Sequence, residues 1–353
     1  MSRPEGMDPA DWTNGSRITE MLRGAGHDVT VTDVVATPVG TGQMGASFRL
    51  RLTIEGDEGG LPSTMVGKAA TGPPERRAIS SGSYRTEVDF YRNIAPRIDA
   101  RIPRCWASWV TDDATDFLLL LEDLAPREQG DQLLGTSVDD AALAAVNLAG
   151  LHGPLWNDPW IAGHLPPFDD EQAAGLDAVF PTMVDFFLGR YGPRLEPSTR
   201  ALYERIKGVT GQWLNGRRTP FAAVHGDYRL DNLMFAPDRS DVAVVDWQTV
   251  SLGLPARDLA FLCGTGLSVE DRRAADDDLV ATYHATLTGY GVENYSLAEC
   301  REDYAYGMLQ GPLVIVFGSA IAEATERGDE MFTVMAERSA AAMDDLGTLD
   351  LLA

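Results

Sequence analysis

Lysine is nearly missing from this 353-residue chain: Lys68 and Lys207 are the only two, and every other basic side chain is arginine. Basic residues are few altogether, 29 against 53 acidic, for a formal net charge of −24. A surface this acidic repels nucleic acid and anionic membranes, both of which demand Lys and Arg as counter-charge. It excludes a polynucleotide-binding or membrane-surface role and is accounted for by solubility. Cysteine is scarce as well. Cys105, Cys263 and Cys300 lie far apart, without the paired spacing of a zinc site. An odd, sparse set speaks against a disulfide framework and for a reducing compartment. Long apolar runs are also lacking: the most apolar stretch, residues 312–322, is too short to cross a bilayer. The first fifteen residues are polar and mixed in charge, which predicts a disordered tail and no signal peptide. A cytoplasmic protein is expected.

What is present suffices for a sizeable core, since apolar residues make up 44% of the chain, and the length weakly favours two domains. Ser16 is placed to cap a short helix through Arg23 that stops at Gly24 and Gly26. Residues 29–68 then read as strands. Val29, Val31 and Val34 precede a glycine-rich turn, and Phe48, Leu50, Leu52 and Ile54 alternate with polar residues. A third strand ends near Lys68, and a helix at 84–94 carries Val88, Tyr91 and Ile94 on one face. Two more strands follow at 105–110 and 116–121. After Glu122 helical patterns take over, at 138–156, 171–190, 198–213 and from 257 onward, interrupted by a β-like patch at 222–245. The organisation expected is a tail (1–15), a small β-rich lobe (16–122) and a larger helical lobe (123–353).

Chemistry concentrates in His225-Gly226-Asp227-Tyr228-Arg229-Leu230-Asp231-Asn232 and in Val244-Val245-Asp246-Trp247. Phosphoryl transfer asks little covalent work of a protein. It needs a carboxylate to orient the attacking hydroxyl and take its proton, and ligands that hold Mg²⁺ on the phosphates. Asp227 suits the first task. Asn232 and Asp246, the latter closing an apolar strand, suit the second, because magnesium takes hard oxygens and keeps several waters. An Asp and an Asn five apart occur often by chance; the combination with His225-Gly226 before and Asp246-Trp247 after does not.

Gly40, Gly42 and Gly45 form a GxGxxG, which alone fits either a dinucleotide-binding turn or a kinase phosphate loop. A dinucleotide fingerprint must open a helix, whereas residues 46–54 alternate as a strand. Strand, glycine turn, strand lets backbone N–H groups approach phosphates unobstructed. Lys68, at the end of the third strand, is a cation where α- and β-phosphates would need one. In a chain so poor in lysine its position is informative. Glu87, on the helix that follows, is its expected partner.

These motifs resemble the aminoglycoside phosphotransferase and choline kinase superfamily, and within it the ecdysteroid-kinase-like and acyl-CoA-dehydrogenase-associated branches. The resemblance implies an α+β, two-lobed, protein-kinase-like fold and an ATP- and Mg²⁺-dependent kinase for a hydroxyl of a small molecule. It makes Asp227 the catalytic base, Asn232 and Asp246 the metal ligands, and Lys68 with Glu87 the family's lysine–glutamate pair. Residues 121–124 resemble the family's hinge, whose backbone, at Glu122 and Leu124, would meet the adenine edge. The family often has Glu after its Asp-Trp; this chain has Gln248. His225 would brace the loop, and Asp258 would anchor it by capping a helix or bonding backbone. His152, a lone histidine on an apolar helix face, reads as structural.

Other readings fit less well. A protein kinase would need a longer segment than the twelve positions from Asp246 to Asp258. A nicotinamide-dependent dehydrogenase rests on the GxGxxG alone, and a metal hydrolase on His225, Asp227 and Asp231 lacks further clustered ligands. A catalytically inactive kinase-like binding protein would have lost the base, the metal Asp or the Lys, and all three are here. For the acceptor, Glu299, Glu302, Asp303, Glu323 and Glu326 hint at a cation such as an aminoglycoside or choline. Trp156, Trp160, Phe180, Phe186, Phe187, Val314 and Phe317 hint at an apolar alcohol such as a steroid, which the resemblance slightly favours. The charge clusters at 270–273 and 276–278 read as solvated faces.

Overall fold

The computed structural model describes residues 14–39, 45–56, 60–322 and 324–352. Residues 1–13 of the expected tail, Gly40 and Gly42 of the glycine turn, and Glu323 lie outside them. The chain forms two compact units. One comprises residues up to Pro96, Ile102–Ala125 and Asp246–Thr249; the other comprises Arg97–Arg101, Pro126–Val245 and residues from Val250 onward.

The N-terminal unit is built on a sheet of β1 (Val29–Val39), β2 (Gly45–Gly56), β3 (Thr64–Ala70), β4 (Cys105–Val110) and β5 (Phe117–Glu122). The strand order is β1-β2-β3-β5-β4, with antiparallel pairing throughout. Val29, Val31 and Val34 all face the core although their spacing changes from two to three. A register shift between Val31 and Asp33 absorbs the extra residue, as a bulge does. The helix α1 (Gly15–Gly24) covers one face, its Ile18 and Leu22 packing with Leu50, Met65, Leu118 and Leu120. Asn14, not Ser16, caps it, accepting from the N–H groups of Ser16 and Arg17. The helix α2 (Pro74–Asp89) packs against β4 and β5, with Tyr84 stacked 4.6 Å from Phe117 of β5. With elements on both sides, β5 reads as an unbroken apolar run. Each fully buried leucine in it contributes about 1.5–3 kcal/mol relative to exposure.

The helix expected at 84–94 thus starts ten residues earlier. Its first half lacks an apolar face because it is anchored by a buried ion pair, Arg77 with Asp116. After Asp89 a π turn, Phe90–Ile94, inserts an extra residue per turn and lets Phe90, Tyr91 and Ile94 all bury.

The C-terminal unit is mainly helical. In chain order it contains β6 (Glu128–Gln129), α3 (Val138–His152), α4 (Pro159–His164), α5 (Asp170–Tyr191), α6 (Pro197–Arg205) and α7 (Thr210–Gly216). There follow β7 (Ala222–Val224), β8 (Leu233–Phe235), β9 (Val242–Val244), β10 (Ser251–Gly253), α8 (Ala256–Gly266) and α9 (Val269–Gly289). The chain closes with α10 (Leu297–Gly307), α11 (Gln310–Ile321) and α12 (Glu326–Leu346). The helix expected at 198–213 is two, parted near Gly208, whose φ of +102° is left-handed. The small strands pair as β6-β8-β9 and β10-β7. They frame residues 225–232, which leave β7 and enter β8.

One charged segment differs from its expected solvated state. Arg272 is buried, and its guanidinium bonds Asp276 and Asp345, so a core ion pair stands inside the cluster 270–278. Leu297–Ile321, covering α10 and α11, is long and apolar enough by composition to cross a membrane, a longer stretch than the 312–322 singled out from the sequence. It is split between Gly307 and Gln310, and 67% of its most apolar window is buried in the protein, as in core helices.

Candidate active site

In the N-terminal unit, β3 presents Lys68 to Glu87 of α2: Nζ donates to Glu87 Oε1 at 2.7 Å and to Asp246 Oδ1 at 2.9 Å. Burial alone would strip the Lys68 proton, but the charges of Asp246 and Glu87 outweigh it and hold the amine above its ordinary range. Burial pushes the Glu87 carboxyl up against the pull of Lys68. Asp246 has a left-handed φ of +68°, a conformation that Asp tolerates better than most residues. What holds it there is the next residue. Trp247 stacks on Phe90 of the π turn, 3.7 Å between centroids and 6° from parallel, and its N–H donates to Glu87 Oε1 at 3.3 Å. The Asp246 side chain remains 40% exposed, so its carboxylate is open to a ligand.

The start of β2 is equally tight. A Cβ at Gly45 would stand 3.1 Å from the Ala69 carbonyl oxygen and 3.9 Å from the amide nitrogen of buried Gln248. At the end of β5 the Glu122 N–H donates to the Arg104 carbonyl (2.8 Å), while its carboxylate accepts from the Arg104 N–H (3.1 Å). Beside Glu122, Asp123 accepts a two-pronged bond from Arg49 of β2, at 2.7 and 3.0 Å. Leu124 is buried.

In the C-terminal unit the loop after β7 is fixed through its backbone. Asp258, at the first turn of α8, accepts from the His225 N–H at 2.6 Å and the Gly226 N–H at 2.9 Å. Gly226 takes a φ of +79°, which suits glycine. Behind Asp258 stands His152, fully buried, 3.3 Å away through Nε2 and 2.7 Å from the Tyr283 hydroxyl through Nδ1. Burial would raise the Asp258 carboxyl, yet the bond and charge of His152 hold it below its ordinary value. Burial lowers His152 in turn, against the pull of Asp258. His225 accepts the Asp227 N–H on Nδ1 (3.2 Å) and so donates from Nε2 to the Val245 carbonyl (3.1 Å).

The Asp227 carboxylate faces two donors. Asn232 Nδ2 lies 3.0 Å from its Oδ2 and 2.9 Å from its backbone carbonyl, and Arg229 Nε donates to the same Oδ2 at 3.3 Å while standing 3.2 Å from Oδ1. Because Asn232 spends its NH₂ on Asp227, its remaining amide atom is a carbonyl oxygen, the donor type magnesium takes. A carboxylate at Asp246 and an amide oxygen at Asn232 thus fit the implied Mg²⁺ chemically.

Lys68, Glu87 and Asp246 stand together in one unit, and Asp227 and Asn232 in the other. Four participants were not foreseen. Arg229 sits inside the motif and was legible there as a cation two residues from Asp227. Phe90, Tyr283 and Gln310 carried no signal; Gln310, at the start of α11, donates to the Gly226 carbonyl at 2.6 Å and is 3% exposed. The acids offered for a cationic acceptor are largely engaged. Glu299 closes the capping box of α10, and Arg217 binds both Glu302 and Asp303.

A family model described as "Uncharacterized oxidoreductase dhs-27" matches residues 220–350, less than half of the chain. Acyl-CoA dehydrogenase family member 10 of Mus musculus is 36% identical over 101 residues, 27% of this chain and 9% of that protein. The chain therefore spans a small part of the curated relative it matches. Among solved structures, a choline kinase from Cryptosporidium parvum Iowa II superposes with a TM-score of 0.54 at 10% identity, covering 90% of this chain and 92% of that one. The GDP and kanamycin complex of APH(2")-IIia gives 0.54 at 13% identity, over 92% and 98%. The GDP complex of wild-type aminoglycoside 2'-phosphotransferase-IIIa gives 0.51 at 14%, over 93% and 99%. At these identities the likeness is one of fold. The kinase-like fold expected from the sequence, a β-rich N-terminal part and a mainly helical C-terminal part, is the fold found.

Proposed function

We propose that this chain is a phosphotransferase that uses Mg-ATP to phosphorylate a hydroxyl of a small molecule. The observation that carries the reading is buried Lys68 between Glu87 and Asp246, a cation fixed at a strand end with two carboxylates. A structural lysine gains little from such a site, because taking Lys68 and Glu87 out of water costs more than apolar packing would. In the proposed reaction Lys68, oriented by Glu87, binds the α- and β-phosphates, and Gly45, the described member of the glycine motif, spares them a side chain. Glu122 and Leu124 offer backbone groups to the adenine. Asp227 accepts the proton of the attacking hydroxyl. Asn232 and Asp246 hold Mg²⁺, which when bound neutralises charge on the phosphates.

For the acceptor we favour an apolar alcohol such as a steroid over an amine. Arg217 neutralises Glu302 and Asp303, whereas the same unit carries the packed pair Phe180 and Phe317, 5.7 Å apart, and a half-exposed Phe186. The three unpaired cysteines suit a reducing, cytoplasmic setting.

The test is the thermal unfolding midpoint with ATP or GTP, with and without Mg²⁺, for wild type and Asp246→Ala, followed by ADP release with hydroxylated acceptors. A ligand at a hundredfold excess over its Kd adds about 2.7 kcal/mol. A Mg²⁺-dependent shift in wild type that vanishes in Asp246→Ala supports the reading. No shift at millimolar nucleotide sinks it. A shift without turnover of any acceptor puts a catalytically inactive nucleotide-binding protein first, and strong turnover of aminoglycosides with none of apolar alcohols overturns the acceptor preference.

A further inference from the structure

Arg229 is 23% exposed in its side chain and touches both acids of its own loop. Its Nε lies 3.2 Å from Asp227 Oδ1, its Nη1 3.1 Å from Asp231 Oδ2, and the same Nη1 3.5 Å from the Met331 sulfur on α12. Asp231 is not a loose partner. Its Oδ1 accepts the Gln132 N–H at 3.0 Å, its carbonyl accepts Gln129 Nε2, and Arg327 approaches Oδ1 at 3.5 Å. The guanidinium is thus tied at one end to a fixed carboxylate and presents its other end to the base.

We propose that Arg229 is a positioning residue for Asp227, held in place by Asp231. The inference rests on the phosphotransferase reading above. Asn232 Nδ2 and Arg229 Nε converge on the same oxygen of the Asp227 carboxylate, donating to Oδ2 at 3.0 and 3.3 Å, so two donors from different directions restrain the rotation of the group. With Arg229 removed, Asn232 alone remains and the carboxylate can turn about its last bond. A base must sit within hydrogen-bond reach of the proton it takes, and a misplacement near 1 Å costs on the order of 10²-fold in rate. Arginine is required by the geometry. Its planar fork spans two carboxylates from separate nitrogens, which a single ammonium does not reproduce.

The experiment uses the full chain and follows ADP release from Mg-ATP with water as acceptor, together with the unfolding midpoint. Arg229→Ala is expected to lower the maximal rate roughly tenfold to hundredfold. The KM for Mg-ATP and the nucleotide-dependent thermal shift should stay at wild-type values. Added guanidinium at millimolar concentration should restore part of the rate. Asp231→Asn should give a milder defect, and the double variant should be no slower than Arg229→Ala, the non-additivity of residues acting as one device. A wild-type rate in folded Arg229→Ala overturns the proposal. So does a rate that falls in step with unfolding midpoint and nucleotide affinity and is not rescued by guanidinium, which is a structural role. Should Arg229→Ala fail to fold, Arg229→Lys keeps the charge without the fork; a lost rate is the expected result and an intact rate the overturning one. If wild type itself shows neither a Mg-nucleotide shift nor ADP release, the phosphotransferase reading falls first, and this inference with it.

Discussion

Lys68 and Asp227 belong to different units and are held by different physics. Lys68 is held by charge. Its partners Glu87 and Asp246 come from a helix and from a four-residue return of the chain, and aromatic stacking of Phe90 on Trp247 fixes the second of them. Asp227 is held by hydrogen bonds to a loop whose backbone is clamped from behind by Asp258, His152 and Tyr283. A charge cluster loses much of its worth when one member leaves, because the rest are buried without a counter-ion. A hydrogen-bonded loop loses one bond at a time. The first arrangement should break abruptly and the second by degrees.

The largest expected effect on rate is at Asp227. Asp227→Ala should lower turnover by about 10²–10⁴ while the nucleotide-dependent thermal shift persists. Equal loss of both would mean that the loop and the nucleotide site are not separable as argued. The largest effect on stability is expected at Lys68. Lys68→Met leaves Glu87 buried without its cation, a loss of about 3–5 kcal/mol in urea unfolding, along with the nucleotide shift. A variant as stable as wild type would remove the contrast.

Asp258→Asn tests the gradual side. One backbone N–H loses its charged acceptor, at about 1–3 kcal/mol, and turnover should fall without change in nucleotide affinity. The pH dependence sharpens the same point. His152 is held below its ordinary value in the folded protein, so its contribution is full above the unfolded imidazole's value of about 6.5 and is lost as pH falls towards the folded value. Asp258, also held low, adds a loss of the same sign in the carboxylate range. Unfolding free energy should therefore decline from pH 7 to 5.5, and His152→Gln should flatten that slope. The smallest effect is expected at Gln310. Gln310→Met removes one bond to Gly226, worth about 0.5–1.5 kcal/mol, but also removes a buried Oε1 that has no hydrogen-bond partner. The midpoint should hardly move; a drop as large as that of Asp258→Asn would make Gln310 part of the clamp's core.

Legibility divided along the same line. The 225–232 motif is local, so its combination with the nearby Asp246-Trp247 was enough to single out Asp227 and Asn232 as candidates. Lys68 was conspicuous because lysine is so rare, and Glu87 followed from its helix. The bond from Lys68 to Asp246 joins residues 178 apart and had no pattern to announce it. Arg77 explains the missed half of α2, since an ion pair leaves no periodicity to read. Gln310 and Tyr283 sit on helices far along the chain from the loop they brace, and nothing local marks them.

The amino-acid sequence by itself determined the order of a β-rich part before a helical part, because alternation and helical periodicity are local properties of side-chain pattern. It also determined which residues are chemically able to serve as candidates, because carboxylate, amide and amine are fixed at translation. Only the tertiary structure decided which acids are active and which are consumed. Arg217 takes Glu302 and Asp303, Arg272 takes Asp276, and Lys68 takes Glu87 while Asp246 beside it stays 40% exposed, since charge pairing depends on distance in space and on burial, and neither is written in the spacing of a chain.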